Sequence, residues 1–232
     1  LINQLLELSR LEAGKLLLDP RPGEFLSFLK GVTLSFASLA EQNGIELRFE
    51  STLGPEARLE VSYDRDKMET ILSNLLSNAL KFTPRGGIVS VILSVPGVAD
   101  TDVTNAPCME ILVSDTGPGI PQEQIPLIFD RFYHSGRENR SAAEGVGIGL
   151  TLVKELVHLH RGDISIRSEP GKGTRFTLQF PLEHFEPAPV QGTDSVPGAE
   201  MAETSPGDPF LSAEPASRAS APTRASSPRR GP

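Results

Sequence analysis

Residues 74–82 read Asn74-Leu-Leu-Ser-Asn78-Ala-Leu-Lys81-Phe82, and three glycine-containing segments follow them along the chain. These segments are Asp115-Thr-Gly-Pro-Gly119, Gly145-Val-Gly-Ile-Gly149 and Gly171-Lys-Gly-Thr174. Glycines allow a backbone to approach a ligand closely, and glycine loops that open a helix expose N–H groups to phosphate. Together with an acid and a helix that carries two amides and a lysine, they are typical of a pocket for a purine nucleotide and its metal.

The amide-bearing helix is predicted to have two different faces. Asn74, Asn78 and Lys81 are spaced i, i+4, i+7 and therefore share one face. Amide oxygens suit Mg²⁺, and a lysine in reach adds positive charge for phosphates. Two Asn and a Lys in isolation would be ordinary solvated residues, but their position before the glycine motifs favours a site. The other face carries an apolar stripe: Met68, Ile71, Leu72, Leu75, Leu76 and Ala79.

Asp115 ends an apolar strand and enters a turn that contains Gly117 and Gly119. A carboxylate in this place can accept a hydrogen bond from the exocyclic amino group of adenine, which guanine does not offer at that position. Asp-Thr-Gly is also an ordinary turn at the end of a strand. Both interpretations stay open when this motif is taken alone.

The segment Gly145–Gly149 opens a predicted helix, so its backbone N–H groups and the helix dipole favour phosphate binding. No strand precedes it, which argues against a dinucleotide-binding fingerprint. The segment Gly171–Thr174 is predicted to be the turn of a β-hairpin, and a structural role is about as good an explanation as ligand contact.

The four motifs, in this order, resemble the ATP-binding catalytic domain of sensor histidine kinases, whose superfamily includes DNA gyrase B, Hsp90 and MutL. The resemblance implies ATP and Mg²⁺ as cofactors, Asn78 as the metal ligand with Asn74 as a second candidate, and Asn74, Asn78 and Lys81 as catalytic residues. It assigns adenine recognition to Asp115. The implied nucleotide-binding residues are Asn78, Lys81, Asp115, Gly117, Gly119, Ile120, Phe129, Arg131, Gly145, Val146, Gly147, Ile148, Gly149, Leu150 and Thr174.

The same resemblance implies a lid over the triphosphate, formed by residues 131–144. Phe129 and Phe132 would pack at the base of this lid. A basic residue often follows the tyrosine of this motif in the family, whereas this chain has His134. Arg131, Arg137 or Arg140 could supply the missing phosphate contact.

Hydrolysing members of the superfamily carry a glutamate one helical turn before the metal-binding asparagine. This chain has Asn74 there, and an amide cannot act as a general base toward water. The sequence therefore predicts a kinase that transfers the γ-phosphate to a histidine. None of the four histidines precedes an acidic residue, as the family's acceptor usually does, so the acceptor is expected on an upstream helix. An ATPase of the same superfamily and a non-catalytic nucleotide-binding module are the alternatives.

Three regions are predicted. Residues 1–18 form an amphipathic helix. The sequence from Leu6 to Lys15 resembles the second helix of the histidine kinase dimerisation hairpin. Residues 19–184 form the ATP-binding catalytic domain, an α/β (α+β) fold of the Bergerat type. Helices with a largely antiparallel sheet indicate a two-layer sandwich of a mixed, mostly antiparallel sheet and three helices, preceded by the dimerisation helix. Residues 185–232, rich in Pro, Ala and Ser, are predicted to be a disordered tail or linker.

The local patterns predict helices over residues 24–43 and 64–82, with Asp64 as the cap of the second. Alternating apolar residues predict six strands. These are 45–50, 59–62, 88–95, 110–114, 163–168 and 174–180.

The whole-chain composition limits the classes of partner. The net charge of −8 disfavours nucleic acid, because phosphate neutralisation needs clustered Lys and Arg. One cysteine, Cys108, excludes a multi-cysteine metal site. No apolar run reaches the roughly 20 residues that span a bilayer, so no membrane contact is expected from this segment.

The resemblance implies two macromolecular partners, a phosphoacceptor helix of the same or a partner subunit and a response-regulator receiver domain. It also implies a homodimer in the full-length protein. The chain begins inside a helix and is therefore expected to be a piece of a longer protein. This segment would be the cytoplasmic portion of a bacterial sensor, with any membrane anchor upstream.

Overall fold

The computed structural model describes residues 6, 9, 11, 13–54, 57–96, 108–133 and 147–182. The predicted tail, most of the predicted lid and the first two residues of the Gly145–Gly149 motif lie outside these described residues. Leu6, Ser9 and Leu11 are helical, as the pattern of the first segment predicts. Among the described residues, no helix has the length and apolar content to cross a bilayer.

In the described residues, seven strands form two sheets. The smaller sheet is an antiparallel pair, β1 (Arg21–Glu24) and β3 (Glu60–Tyr63). The larger has the order β2-β4-β5-β7-β6, with β2 parallel to β4 and the other neighbours antiparallel. The predicted mixed, mostly antiparallel sheet is therefore confirmed. Its strands are β2 (Glu46–Ser51), β4 (Ile88–Ser94), β5 (Cys108–Asp115), β6 (Asp163–Glu169) and β7 (Gly173–Pro181).

In the part of the chain that the structure describes, three helical segments form the second layer, and the first of them is broken in two. They are α1 (Phe25–Ser35) with α2 (Ala37–Asn43), α3 (Arg65–Phe82) and α4 (Gly149–Leu159), and a short 3₁₀ turn covers Ile125–Leu127. The two-layer sandwich predicted from the sequence is confirmed.

The core lies between the sheet and α3. All six residues of the predicted apolar stripe of α3 are buried. They meet alternate residues of β4 and β5, such as Val91 and Ile111, which are fully buried. The intervening residues of each strand point to the other side of the sheet and are exposed or half-buried. We call that side the open face.

The helix predicted over residues 24–43 is wrong as a single element, because the chain turns at Phe36 between α1 and α2. Side chains near this break compete with the helical backbone. The Thr33 hydroxyl donates to the Leu29 carbonyl at 2.8 Å, and the Ser35 hydroxyl donates to the Val32 carbonyl at 2.7 Å. Such bonds commonly bend a helix.

The start of α3 is fixed by Asp64, as predicted. One carboxylate oxygen of Asp64 accepts a hydrogen bond from the backbone N–H of Lys67 at 3.1 Å. The other accepts from the N–H of Asp19 at 2.9 Å. The same cap therefore ties the first described loop to the helix. The strand β1 follows this loop. It lies in a Pro- and Gly-containing segment, which the sequence patterns predict only as an interruption of the helical pattern.

We expect Leu75→Ala to reduce the free energy of unfolding by about 2–5 kcal/mol, because Leu75 is 1% exposed and truncation leaves a cavity between α3 and the sheet. Leu34→Ala is the matched control, since Leu34 is 52% exposed, and its effect should stay within about 0.5 kcal/mol. Urea denaturation followed by circular dichroism measures both. Equal effects of the two substitutions would contradict this packing.

Candidate functional site

The two asparagines of α3 have different surroundings. The side-chain amide of Asn74 donates to the Thr70 carbonyl at 2.7 Å, and its Oδ1 faces the first residue of α4. A Cβ atom added to Gly149 would lie 2.6 Å from that oxygen. Asn78 is half-buried one turn later, and in the described part of the chain its side chain forms no hydrogen bond. The Asn78 amide is thus available to a ligand, whereas the Asn74 amide is engaged.

Lys81 lies at the end of the same helix face and is exposed. Its Nζ atom is 5.0 Å from the centre of the Phe82 ring, and Phe82 itself is 44% exposed. A cation over an exposed aromatic ring is weakly held, so this ammonium can move to a phosphate.

Asp115 is the last residue of β5, and its carboxylate is partly desolvated. Burial raises the pKa of Asp115, while the N–H groups of Gly117 and Thr174, which donate to the carboxylate, oppose that rise. The Gly117 N–H lies 2.8 Å from Asp115 Oδ1. A Cβ atom on Gly117 would stand 2.7 Å from that oxygen and 3.1 Å from the Phe82 carbonyl oxygen. Because Gly117 has no side chain, the turn after Asp115 can pack against the end of α3.

The turn after Asp115 is also held by the hairpin between β6 and β7. Gly119 has φ +70, and a Cβ atom there would collide with the Glu169 carbonyl. The Gly171 N–H donates to the Pro118 carbonyl at 2.7 Å. At Gly173, a Cβ atom would collide with the carbonyl of Asp115. The fourth motif therefore supports the second through its glycines.

The start of α4 meets the segment that contains Phe129. Gly147 has φ +70, and its carbonyl accepts from the Phe132 N–H at 2.9 Å. Thr151 in the first turn of α4 donates its hydroxyl to the Phe129 carbonyl at 2.8 Å. The residue before α4, Ile148, provides no side-chain cap. The first N–H groups of α4 are therefore not capped by that side chain.

The remaining residues implied by the resemblance differ in exposure. Ile148 is 1% exposed, so any ligand contact would come from its backbone. Phe129, Ile120 and Leu150 are partly buried against the core, and Arg131 is exposed. Gly145 and Val146 lie outside the described residues. Phe132 is 60% exposed and takes φ 61, an unusual backbone conformation for a side chain of that size.

The donor set is compatible with a hard cation that keeps much of its water. Across the described segments, no group of three or more His, Cys, Asp or Glu side chains is placed to hold a metal. A cation here would depend on amide oxygen and on phosphate oxygens from a ligand, a coordination that Mg²⁺ accepts and Zn²⁺ does not prefer.

A family model described as histidine kinase-, DNA gyrase B- and HSP90-like ATPase matches residues 63–184. This chain belongs to that ATPase family. The family predicted from the order of the motifs is thereby confirmed, and the match includes all four of them.

Curated relatives of this ATPase-family chain are named as kinases. The chain is 39% identical over 189 residues to the sensor histidine kinase TmoS of Ectopseudomonas mendocina, which covers 82% of this chain and 18% of TmoS. It is 37% identical to hybrid signal transduction histidine kinase D of Dictyostelium discoideum, covering 78% of this chain and 11% of that protein. The chain therefore spans less than a fifth of the length of both relatives.

Solved structures support the same family. Full-length ShkA in complex with AMPPNP is 26% identical and superposes with a TM-score of 0.64, covering 81% of this chain and 35% of ShkA. The catalytic domain of the histidine kinase ThkA is 21% identical with a TM-score of 0.57, covering 71% of this chain and 96% of that domain. The second likeness shows the fold alone.

Sequence patterns missed Ser168, which connects the second and fourth motifs. Its hydroxyl accepts from the Ile120 N–H at 2.8 Å and lies 2.9 Å from the Gly173 carbonyl oxygen, to which it donates. Its carbonyl accepts from the Gln122 side-chain amide at 2.7 Å. No motif contains Ser168. The only sequence signal is a polar residue at the core-facing position of β6, where Ile164 and Ile166 precede it.

We expect Asp115→Asn to stabilise the fold at neutral pH. Because burial raises the pKa of Asp115, the charged carboxylate costs folding free energy above that pKa, and the cost disappears as pH falls and the group is protonated. Asn keeps an oxygen for the Gly117 N–H. Thermal unfolding at a series of pH values should show a higher Tm than wild type at pH 8.

The difference in Tm should shrink as the pH approaches 4. Asp163→Asn is a suitable control, since Asp163 is exposed on the open face. A variant less stable than wild type across the whole pH range would show that the charge of Asp115 is stabilising.

Proposed function

We propose that residues 19–184 bind ATP with Mg²⁺ and transfer its γ-phosphate to a histidine of a separate helix. The observation that carries this proposal is the set of glycine contacts that joins the four motifs. Gly149 meets Asn74, Gly117 meets both Asp115 and the end of α3, and Gly173 meets Asp115. Residues distant in sequence thus come together along α3, at the end of β5 and at the start of α4.

Adenine recognition is proposed for Asp115. Its carboxylate accepts from the Gly117 N–H at 2.8 Å and retains lone pairs for an exocyclic amino group. Partial desolvation would strengthen a hydrogen bond made there.

Metal and phosphate binding is proposed for Asn78, Lys81 and the start of α4. Asn78 offers an unengaged amide oxygen, and Lys81 offers a mobile positive charge. The first N–H groups of α4 and the positive end of its dipole suit a phosphate chain. Mg²⁺, when bound, would neutralise phosphate charge.

The surroundings of Asn74 favour transfer over hydrolysis. This residue stands one turn before Asn78, where the family's hydrolysing members carry a glutamate. Its amide is held by the Thr70 carbonyl and faces Gly149, so it orients the start of α4 and cannot deprotonate water. The phosphoryl group would therefore await a nucleophile from elsewhere, held by positioning and charge neutralisation.

The rest of the proposed function concerns the whole protein. Residues 1–18 would complete a dimerisation hairpin, and residues 185–232 would act as a tail or linker. The partners would be a phosphoacceptor helix of the same or the other subunit of a homodimer and the receiver domain of a response regulator. A cytoplasmic location of this segment follows from that assignment. The names of the relatives as sensor and hybrid histidine kinases support these proposals.

Calorimetric titration with a non-hydrolysable ATP analogue tests the site. We expect Asp115→Asn to weaken binding by about tenfold to a hundredfold, because a hydrogen bond to a charged group contributes about 1.5–3 kcal/mol. Asn78→Ala should weaken binding in Mg²⁺ and should bind like wild type in EDTA.

Ser77→Ala is the matched control on α3, since Ser77 is exposed one residue away from Asn78. It should leave the affinity unchanged. If the folded wild-type protein did not bind the analogue, the alternative of a non-catalytic module that binds no nucleotide would be favoured. An Asn78→Ala variant that keeps its Mg²⁺ dependence would remove the metal assignment.

Incubation with γ-labelled ATP distinguishes kinase from ATPase. Because Asn74 replaces a general base, we expect phosphate release close to the protein-free background. We also expect no label on the purified 232-residue chain, since none of its four histidines resembles the acceptor. Steady-state hydrolysis that Asn78→Ala abolishes would favour the ATPase alternative, and acid-labile label on the chain would contradict the assignment of a separate acceptor.

A further inference from the structure

A row of five side chains crosses the open face of the large sheet. The strand registers pair Arg48 with Ser90, Ser90 with Ser114, Ser114 with Arg175, and Arg175 with Arg167. We call these five residues the basic row. Adjacent strands lie about 4.8 Å apart, so the row is about 19 Å long. The Ser90 and Ser114 hydroxyls at its centre are 2.8 Å apart.

Arg167 and Arg175 lie directly opposite each other in the antiparallel pair of β6 and β7, and both are exposed. Like charges in this position oppose strand pairing. In the described part of the chain, neither guanidinium forms a salt bridge. Other cations of this surface are neutralised: Arg48 pairs with Glu46 at 2.8 Å, and Lys172 pairs with Glu169 at 2.6 Å. The arginine pair is thus an uncompensated positive charge.

The next row of the open face is different in character. Ile92 and Leu112 lie side by side at its centre and are half-buried. One row further, Glu110 and Asp163 carry negative charge. The exposed Glu50 lies beside Ile92 at the β2 end of the Ile92–Leu112 row, so this row is apolar at its centre and acidic at that end. A cavity of about 410 Å³ is lined by all five members of the basic row together with Asp115, Ser168 and Thr174, and the Ile92–Leu112 pair lies outside its lining.

We propose that the basic row and the Ile92–Leu112 pair form a docking surface for an acidic segment of a partner polypeptide. The segment would place Glu or Asp carboxylates on Arg167 and Arg175 and an apolar side chain on Ile92 and Leu112. Paired guanidiniums bind carboxylates through two parallel hydrogen bonds each. Such a surface has the usual make-up of an interface, with apolar contact beside a charged rim.

Two features favour a polypeptide over other anions. The acids Glu110 and Asp163 would repel a long polyanion such as nucleic acid, and so would the net charge of −8. A single phosphate would use the arginine pair but leave the Ile92–Leu112 pair without a role. An acidic segment with an apolar residue matches both pairs.

The probe for this surface is a fluorescein-labelled peptide of repeated Glu-Leu-Glu triplets, titrated with the full 232-residue chain. We expect saturable binding that weakens as salt is raised, since exposed charges are screened. The double variant Arg167→Glu/Arg175→Glu should weaken binding by about tenfold or more. The same peptide with Gln in place of each Glu should bind the wild-type chain as weakly as the original peptide binds the double variant.

Lys30→Glu/Arg58→Glu is the matched control, because it changes the net charge by the same amount at exposed positions away from the sheet. It should change the affinity less than twofold. Equal loss in both double variants would overturn the proposal, since binding would then follow net charge alone. Absence of saturable binding would also overturn it. So would self-association of the wild-type chain that Arg167→Glu/Arg175→Glu abolishes, because the occupant would then be a second copy.

Discussion

The site depends on one contact, the close approach of the Asp115–Gly119 turn to the hairpin between β6 and β7. The turn and the hairpin meet through backbone atoms, at Gly119 with Glu169 and at Gly173 with Asp115, with no space for a Cβ atom. The Ser168 hydroxyl adds two hydrogen bonds to this contact, one accepted from the Ile120 N–H and one donated to the Gly173 carbonyl. This contact lies beside the Asp115 carboxylate, because Gly173 packs on the Asp115 carbonyl and the Gly117 N–H donates to the carboxylate at 2.8 Å.

The glycines of the motifs have structural roles that precede any role with a ligand. At Gly119 and Gly147 the backbone takes positive φ and packs against another segment, so both conformation and space select glycine. At Gly117 and Gly149 space alone selects it. A nucleotide-binding interpretation assigns the space left by each missing side chain to the ligand. At these four glycines that space is filled by protein atoms. The glycines thus build the walls of the region in which Asp115, Asn78 and Lys81 are placed.

Patterns that depend on local chemistry could be predicted, and those that depend on distant contacts could not. Asp64 as a cap, the apolar stripe of α3 and the strand alternation follow from neighbours within a few residues, and all are confirmed. The break at Phe36 and the strand β1 escaped prediction, because the first arises from hydroxyls that compete for helical carbonyls and the second from pairing with β3 across about 40 residues. Ser168 escaped for the same reason, since its partners lie on another loop.

Two sets of residues alternate on the same three strand ends. Ser114, Arg175 and Arg167 belong to the open face, and the residues adjacent to them, Asp115, Thr174 and Ser168, belong to the candidate nucleotide site. All six residues line the same cavity of about 410 Å³. A shift of β5 against β7 therefore changes the distance from the Thr174 N–H to the Asp115 carboxylate and, at the same time, the arrangement of the basic row. If occupancy of either surface alters that shift, thermodynamic linkage requires that each surface affects the affinity of the other by the same factor.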